Sequence, residues 1–593
     1  MLFCGGVFLA TDYADLRRLI TQIYPADFLS FCLFFYRCDF ANNAEAFINS
    51  CSLAKYPTTV LMKKSFLSFL FLVILSSLMA QKAAVKWGPE LDLDTKVYRF
   101  LGETANSFFV LSGHKDDLYL DRFNSATFKL ELSKKLDAPK LEGQEQDIES
   151  IIMLNGEFVL FTSLYSNKLN NFSVHSYTID KDGVVSTDSK EILSLEAQSR
   201  REAGEVNFIV SNDSTRILVC HTAIFRKEKV QRLTMTVIDN KMATLTTAKV
   251  DFPIMEGSDQ FSLSNYSINN SGELFFLETK VTPARKKEPM VITHTIISYG
   301  IDGQRKKDFP IELDGKRVDQ LFFSFDVKEN LLVSGFYETK SSSGIFNYYG
   351  ISGTFFMSID KESGQEKAKT FQEFDHDLLA SCLTPKQMER SPMLPNDYVP
   401  REILQKDDGG VVSVYEEYSY SYSSGHGQAI EVTYYGNLLI TNINPDGTIK
   451  WVKLVPKHQI FIQRKAEIGI GIGGPGASLS VGHMVNLKSD QTIYYSYLLA
   501  LKDDKIILVF NDDPANQEMK TSNETEMMKK IKGAIPMMVT LTEDGEMTKK
   551  TLFEATDFDI IIRPQIAFQS SDTRILIYGS KGDKDKFGVL TIE

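Results

Sequence analysis

Two stretches of the chain gather side chains that could do chemistry. The first, YEEYSYSYSSGHGQ, sets Tyr418, Tyr420 and Tyr422 beside Glu416, Glu417 and His426. Alternating tyrosine and serine can stack on a sugar or a peptide while offering hydroxyl groups, and the adjoining carboxylates could act as acid and base. The competing reading is a strand whose aromatic face is packed under its neighbours. The second stretch, VFNDDPANQ, sets Asn511, Asp512, Asp513 and Asn516 at a strand end. Their oxygens would suit Ca²⁺, a hard cation that takes oxygen ligands, although an Asx turn opened by Pro514 uses the same residues without a metal. DHD at 375–377 could likewise hold a metal or move protons, or be a solvated loop. His114, His175, His221 and His294 are scattered singly and give no metal-ligand spacing. The glycines of EIGIGIGGPGASLS are followed by no Lys-Ser or Lys-Thr and flanked by no βαβ pattern, so they do not form a phosphate cradle. No Gly-x-Ser-x-Gly elbow is present.

These residues must be carried by a repeat. Residues 402–456 contain a short strand, a glycine turn, a strand rich in β-branched and aromatic residues, a polar loop, a third strand, the Asp446-Gly447 turn and a fourth strand bearing Trp451. Four antiparallel strands per unit, tiled along the chain, predict an all-β fold, a β-propeller. The third-strand turn recurs as Asp182-Gly183, Asp302-Gly303, Gly364 and Asp544-Gly545, the chemistry that a positive-φ hairpin turn requires. Second strands begin near Ser107, Glu157, Arg216, Glu273, Leu331, Val411, Lys505 and Arg574. Eight four-stranded blades are therefore expected, with seven as the alternative. The last unit stops after its third strand, and VKWGPELDL near residue 85 supplies an isolated fourth strand. A closing blade shared between the two termini removes the exposed sheet edges.

The repeat is interrupted unevenly. Long second-to-third-strand loops are expected at 282–290, 341–350, 419–432 and 514–534, and long blade-to-blade links at 375–400 and 458–489. In an up-and-down blade both classes emerge on one face. Function sits preferentially on loops carried by a rigid scaffold, so this face over blades four to seven is the candidate site.

Composition fits a folded protein: 43% hydrophobic, 11% aromatic and 24% charged residues. A net charge of −12 argues against a nucleic-acid binder, whose affinity rests on basic groups. MKKSFLSFLFLVILSSLMAQ at 62–81 has the two lysines, the short apolar run and the small residues of a signal peptide, with cleavage expected after Ala80. That places the mature protein outside the cytoplasm, in the periplasm, at the cell envelope or in the medium, with no transmembrane span. Residues 1–61, which precede the signal, are expected to be a mis-assigned extension, leaving 81–593 as one propeller domain. Four of the six cysteines lie in that extension; Cys220 and Cys382 remain and give no disulfide framework.

The pairs DDGGVVSVYEEY and LLITNINPDGTIKWVK resemble the repeats of secreted bacterial β-propellers of the Bacteroidota type. That resemblance implies fold and export and carries no catalytic residues. Similar Trp-bearing repeats occur in quinone-dependent dehydrogenases, but Trp87 and Trp451 are the only tryptophans, too few for a stacked quinone. No organic cofactor is expected. Two functions follow: an exported monomeric, non-catalytic binding or scaffold propeller holding a protein, peptide or glycan at the envelope, and, as the alternative, a secreted glycoside hydrolase or lyase using carboxylates such as Glu416, Glu417, Asp512 or Asp513.

Overall fold

The computed structural model describes residues 83–592 apart from 92, 116, 255–259, 284–289, 344–345, 426–427, 467–490, 554–559, 572 and 582–583. The expected extension and signal peptide, His426 and the glycine-rich stretch at 467–480 lie outside the described residues.

Eight antiparallel sheets follow one another in chain order, seven of them built on four consecutive strands. They are blade 1 (96–136), blade 2 (147–196), blade 3 (205–253), blade 4 (260–310), blade 5 (317–373), blade 6 (398–455), blade 7 (498–551) and blade 8. Blade 8 takes three strands from 560–592 and its fourth, Ala83–Trp87, from the start of the domain, with Ala83 opposite Ile592. The fold is an eight-bladed propeller closed by both ends of the chain. First strands of most neighbouring blades touch one another, which places them nearest the axis.

Second strands such as Arg216–Phe225 read as nearly unbroken apolar runs because both faces of every blade are buried. Ile217 and Val219 pack toward blade 2, whereas Leu218 and Cys220 pack toward blade 4. This alternation repeats around the ring, giving one hydrophobic cluster between each pair of neighbours. The cluster between blades 8 and 1 joins Leu576, Tyr578 and Phe587 to Val97, Phe108 and Phe123. At about 1.5–3 kcal/mol for each large side chain removed from water, these seams hold the ring together. The third-strand turns have the expected backbone: Gly183, Gly303, Gly364, Gly447 and Gly545 all take positive φ, between 75° and 86°. Trp451 ties two blades together, its indole N–H donating to the Glu543 carbonyl of blade 7 at 2.9 Å.

Two of the expected loops are strands. In blade 5 the second and third strands run on as Leu331–Ser343 and Phe346–Ile359, and in blade 6 as Val411–Gly425 and Gln428–Ile443. Serine and tyrosine alternate at the strand period of two, and this period, rather than polarity, decides the structure. The link after blade 5 is helical. Asp375 caps helix α1 (His376–Cys382) by accepting from the Leu378 N–H, and Thr384 and Gln387 form a capping box on α2 (Pro385–Arg390). The DHD cluster is thus a helix start.

These elaborations meet on one side of blades 5 to 7. Strand Gln459–Ala466 adds to the outer part of the blade 6 hairpin, pairing Gln459 with Tyr435. His458 reaches the Ser522 hydroxyl, and Asn523 donates to the Leu383 carbonyl behind α1. Tyr435, Phe461, Tyr495, Met528 and Ala534 form a separate small core among them.

Candidate functional site

Where this cap meets the inner strands of blades 6 to 8, a cavity of about 290 Å³ opens, lined by Arg401, Glu402, Tyr418, Tyr435, Ser496, Tyr497 and Gln565. Its construction begins with a break in register. On the first strand of blade 6, Pro400 pairs with Tyr415 and Glu402 with Val414, leaving Arg401 as an extra residue. Proline has no N–H to give the ladder and favours such a bulge. A regular strand would send Arg401 and Glu402 to opposite faces; the bulge re-aims them, and both line the cavity. A second irregularity lies opposite Glu417, where the partner strand changes register at Gly436 and Asn437. There it also exchanges its outer neighbour, from the fourth strand to Gln459–Ala466.

Beneath the cavity Glu416 is fully buried and fully engaged. The Arg401 guanidinium lies 2.6 Å from Oε2, the Lys457 ammonium donates to Oε1 at 2.8 Å, and the Ser496 hydroxyl reaches both oxygens at 2.9 and 3.0 Å. Burial alone would raise this carboxyl, but the charges of Lys457 and Arg401 outweigh it and hold it below the usual carboxylate range. Lys457 is lowered by its own burial, against the pull of Glu416. Gln459 continues the network, accepting from the Ser496 N–H at 2.8 Å and donating to the Asn511 carbonyl at 2.7 Å. The Asn511 amide then donates to the carbonyls of Tyr494 and Ile562, both at 2.8 Å, so the network crosses into blade 8.

Glu402 behaves oppositely. Burial pushes its carboxyl up to about 7, only partly opposed by the Tyr497 hydroxyl and the Arg401 charge. The aromatic wall is continuous: Arg401 lies over the Tyr418 ring at 5.1 Å, Tyr418 meets Tyr435 edge-on at 5.4 Å, and Tyr435 stacks on Tyr495 at 5.9 Å. Tyr420 and Tyr422 continue the row outward along the same strand, 43% and 56% exposed.

The residues expected from sequence are therefore divided. Tyr418 belongs to the cavity, and Tyr420 and Tyr422 lead away from it. Glu416, expected to meet a ligand or act as acid or base, is instead a buried anchor. Glu417 accepts from the backbone N–H and side-chain amide of Asn437 at 3.2 and 2.9 Å, and burial raises its carboxyl. Arg401, Glu402, Ser496, Tyr497 and Gln565 have no shared sequence signal because they come from three separate segments. The visible signal was Pro-Arg-Glu interrupting the inner strand of blade 6.

The Asn511 to Asn516 stretch is an Asx turn joined to an ion pair. Asp512 receives Lys549 on Oδ2 at 2.8 Å, and the Asn516 amide and Asp513 N–H on Oδ1, each at 2.8 Å. Asp513 caps a short 3₁₀ turn by accepting from the Ala515 N–H, and Asn516 Oδ1 takes the Glu526 N–H. The ammonium of Lys549 stands where a cation would balance Asp512. Among the described residues no group of three His, Cys, Asp or Glu side chains is arranged to hold a metal.

No protein-family model matches the chain, and no curated protein matches it. Similar solved structures include an α-L-arabinanase of Penicillium chrysogenum complexed with arabinobiose, with 11% identity over 57% of this chain and 94% of that one and a TM-score of 0.27. An endo-arabinase from Bacteroides thetaiotaomicron has 10% identity, covers 44% of this chain and 96% of its own, and has a TM-score of 0.22. A post-proline cleaving enzyme from Rickettsia typhi has 9% identity, covers 73% and 50%, and has a TM-score of 0.28. These likenesses concern the fold alone. Among the described residues no helix is long and apolar enough to cross a membrane.

Proposed function

We propose that this protein is an exported, non-catalytic binding propeller of the bacterial cell envelope, and that it holds its ligand in the cavity over blades 6 to 8. Export rests on the signal-like sequence at 62–81. The observation that carries the binding reading is the engagement of the carboxylates. Hydrolysis of a glycosidic bond ordinarily takes two carboxyl groups facing each other across the bond. Glu416 is locked by Arg401, Lys457 and Ser496, Asp512 by Lys549 and Asn516, and Glu417 by Asn437. Among the described cavity-lining residues Glu402 is left as a single carboxyl.

The hydrolase or lyase reading keeps one feature in its favour, since a carboxyl raised to about 7 is suited to general-acid work. Thermal-shift measurements against glycans and peptides, run beside assays for released sugars and peptides, separate the two. A ligand that raises the melting temperature without turnover supports the binding reading. Turnover that is abolished in Glu402→Gln would replace it with the enzymatic one.

A further inference from the structure

Among the described residues, the cations beside the cavity outnumber the carboxylates paired with them. Arg401 and Lys457 bring two cations to the single buried carboxylate of Glu416. Two other carboxyl groups lie in the field of Lys457: Asp512 has its own cation in Lys549, and Glu417, bonded to Asn437, is raised by burial. A buried cation without a counter-charge is costly. The side of Arg401 not used by Glu416 has a buried Nε with no acceptor. Glu402, beside it on the bulge, can supply the missing charge only by ionising where burial opposes ionisation. An anionic group entering the cavity would supply it instead and leave Glu402 protonated, as a donor.

The rest of the lining describes the body attached to that anion. Three tyrosine rings, the Ser496 hydroxyl and the Gln565 amide surround a space of about 290 Å³, at the lower end of small-molecule pockets. Flat aromatic faces beside hydroxyl and amide groups suit a compact body carrying both C–H faces and hydroxyls. We propose that the cavity receives a sugar acid, its carboxylate against Arg401 and its ring among Tyr418, Tyr435 and Tyr497. This deepens the binding reading and rests on it.

Among the described residues, the charged groups that act on Glu402 are Arg401 on its own strand and Glu416 on the next. The neutral polar neighbours are Ser496, Tyr497, Gln459 and Gln565. A sugar carboxyl, like other carboxyls beside electron-withdrawing groups, ionises near ~3.5 and stays charged between pH 6 and 8. Any change in affinity over that range therefore reports Glu402.

The test is calorimetric titration of the purified protein with glucuronate, galacturonate, glucose, galactose and an acetylated dipeptide with a free carboxyl terminus, at pH 6, 7 and 8. The expected result is binding of a uronate but not of its neutral parent sugar, with affinity falling by up to tenfold per pH unit above about 7. Glu402→Gln should hold that affinity constant across the range, and Arg401→Gln should lose it. Equal affinity for acid and neutral sugar, or a flat pH profile in the wild type, overturns the inference while leaving a binding propeller. A dipeptide that binds as the uronate does overturns the sugar assignment. No binding by any probe, together with turnover of a polysaccharide, overturns both readings.

Discussion

Blades 3 and 6 have the same four-stranded frame and different fates. In blade 3 the first and second strands pair without interruption from Glu205–Thr222 to Val210–Ile217, and the second and third from Arg216–Asp239 to Phe225–Val230. Its side chains go to the two seams beside it. In blade 6 both ladders are broken, at Arg401 and at Gly436 to Asn437, and the hairpin overshoots the blade. A regular ladder buries what it carries; a broken one turns Arg401 and Glu402 toward a space they can share. Blade 5 breaks both ladders too, at Val318 to Leu321 and at Tyr337 to Glu338, but in blade 6 the breaks coincide with the added strand Gln459–Ala466, and there the cavity lies.

The sharpest way to break this contrast is Glu416→Ala, which strands Arg401 and Lys457 without their carboxylate. It should cost about 3–5 kcal/mol in urea unfolding. A loss under 1 kcal/mol would mean the network is not a buried anchor. The effect next in size concerns pH. Because Glu402 titrates near 7 when folded and near 4.5 when unfolded, the folded protein keeps a proton between those values that the unfolded chain has released. Its contribution is complete below about 4.5, falls as pH rises toward 7, and is gone above it. Glu402→Gln should remove that part of the slope in melting temperature, whereas Glu416, being lowered, acts below the window. In blade 3, Ile217→Val trims a seam without touching any charge and should cost only about 0.5–1.5 kcal/mol, with no pH dependence. Smallest of all, Tyr420→Ser on the exposed outer hairpin should change stability by no more than about 0.5 kcal/mol. A larger loss would place that ring in a packed core.

The ring was legible because its signals are local. Asp-Gly turns and doubly buried second strands repeat within each unit, and seven of the eight second strands start at the expected residue, the remaining one at Leu274 rather than Glu273. The closing strand could be read from what each end of the repeat lacked. The cavity has no such signature. Arg401 meets Glu416 across fifteen positions in sequence, Lys457 across forty-one and Ser496 across eighty, pairings fixed by tertiary structure. The tyrosine-serine tract is ambiguous for another reason: its polarity suggests a loop although its period of two is that of a strand, and nothing local shows that Glu416 meets Arg401 and Lys457 or that Glu417 meets Asn437.

The pairing of Ala83–Trp87 with Lys584–Ile592 also sets an order of events. The strand that completes blade 8 is the first piece of the domain to be synthesised and the last to find its place, because its partner is made at the very end. Until then blade 1 has no finished neighbour on that side, and Phe108 and Phe123 wait for Phe587. Contacts of such long sequence separation form late and slowly. The nascent chain therefore carries an open, apolar-sided arc whose lifetime depends on how soon its two ends meet.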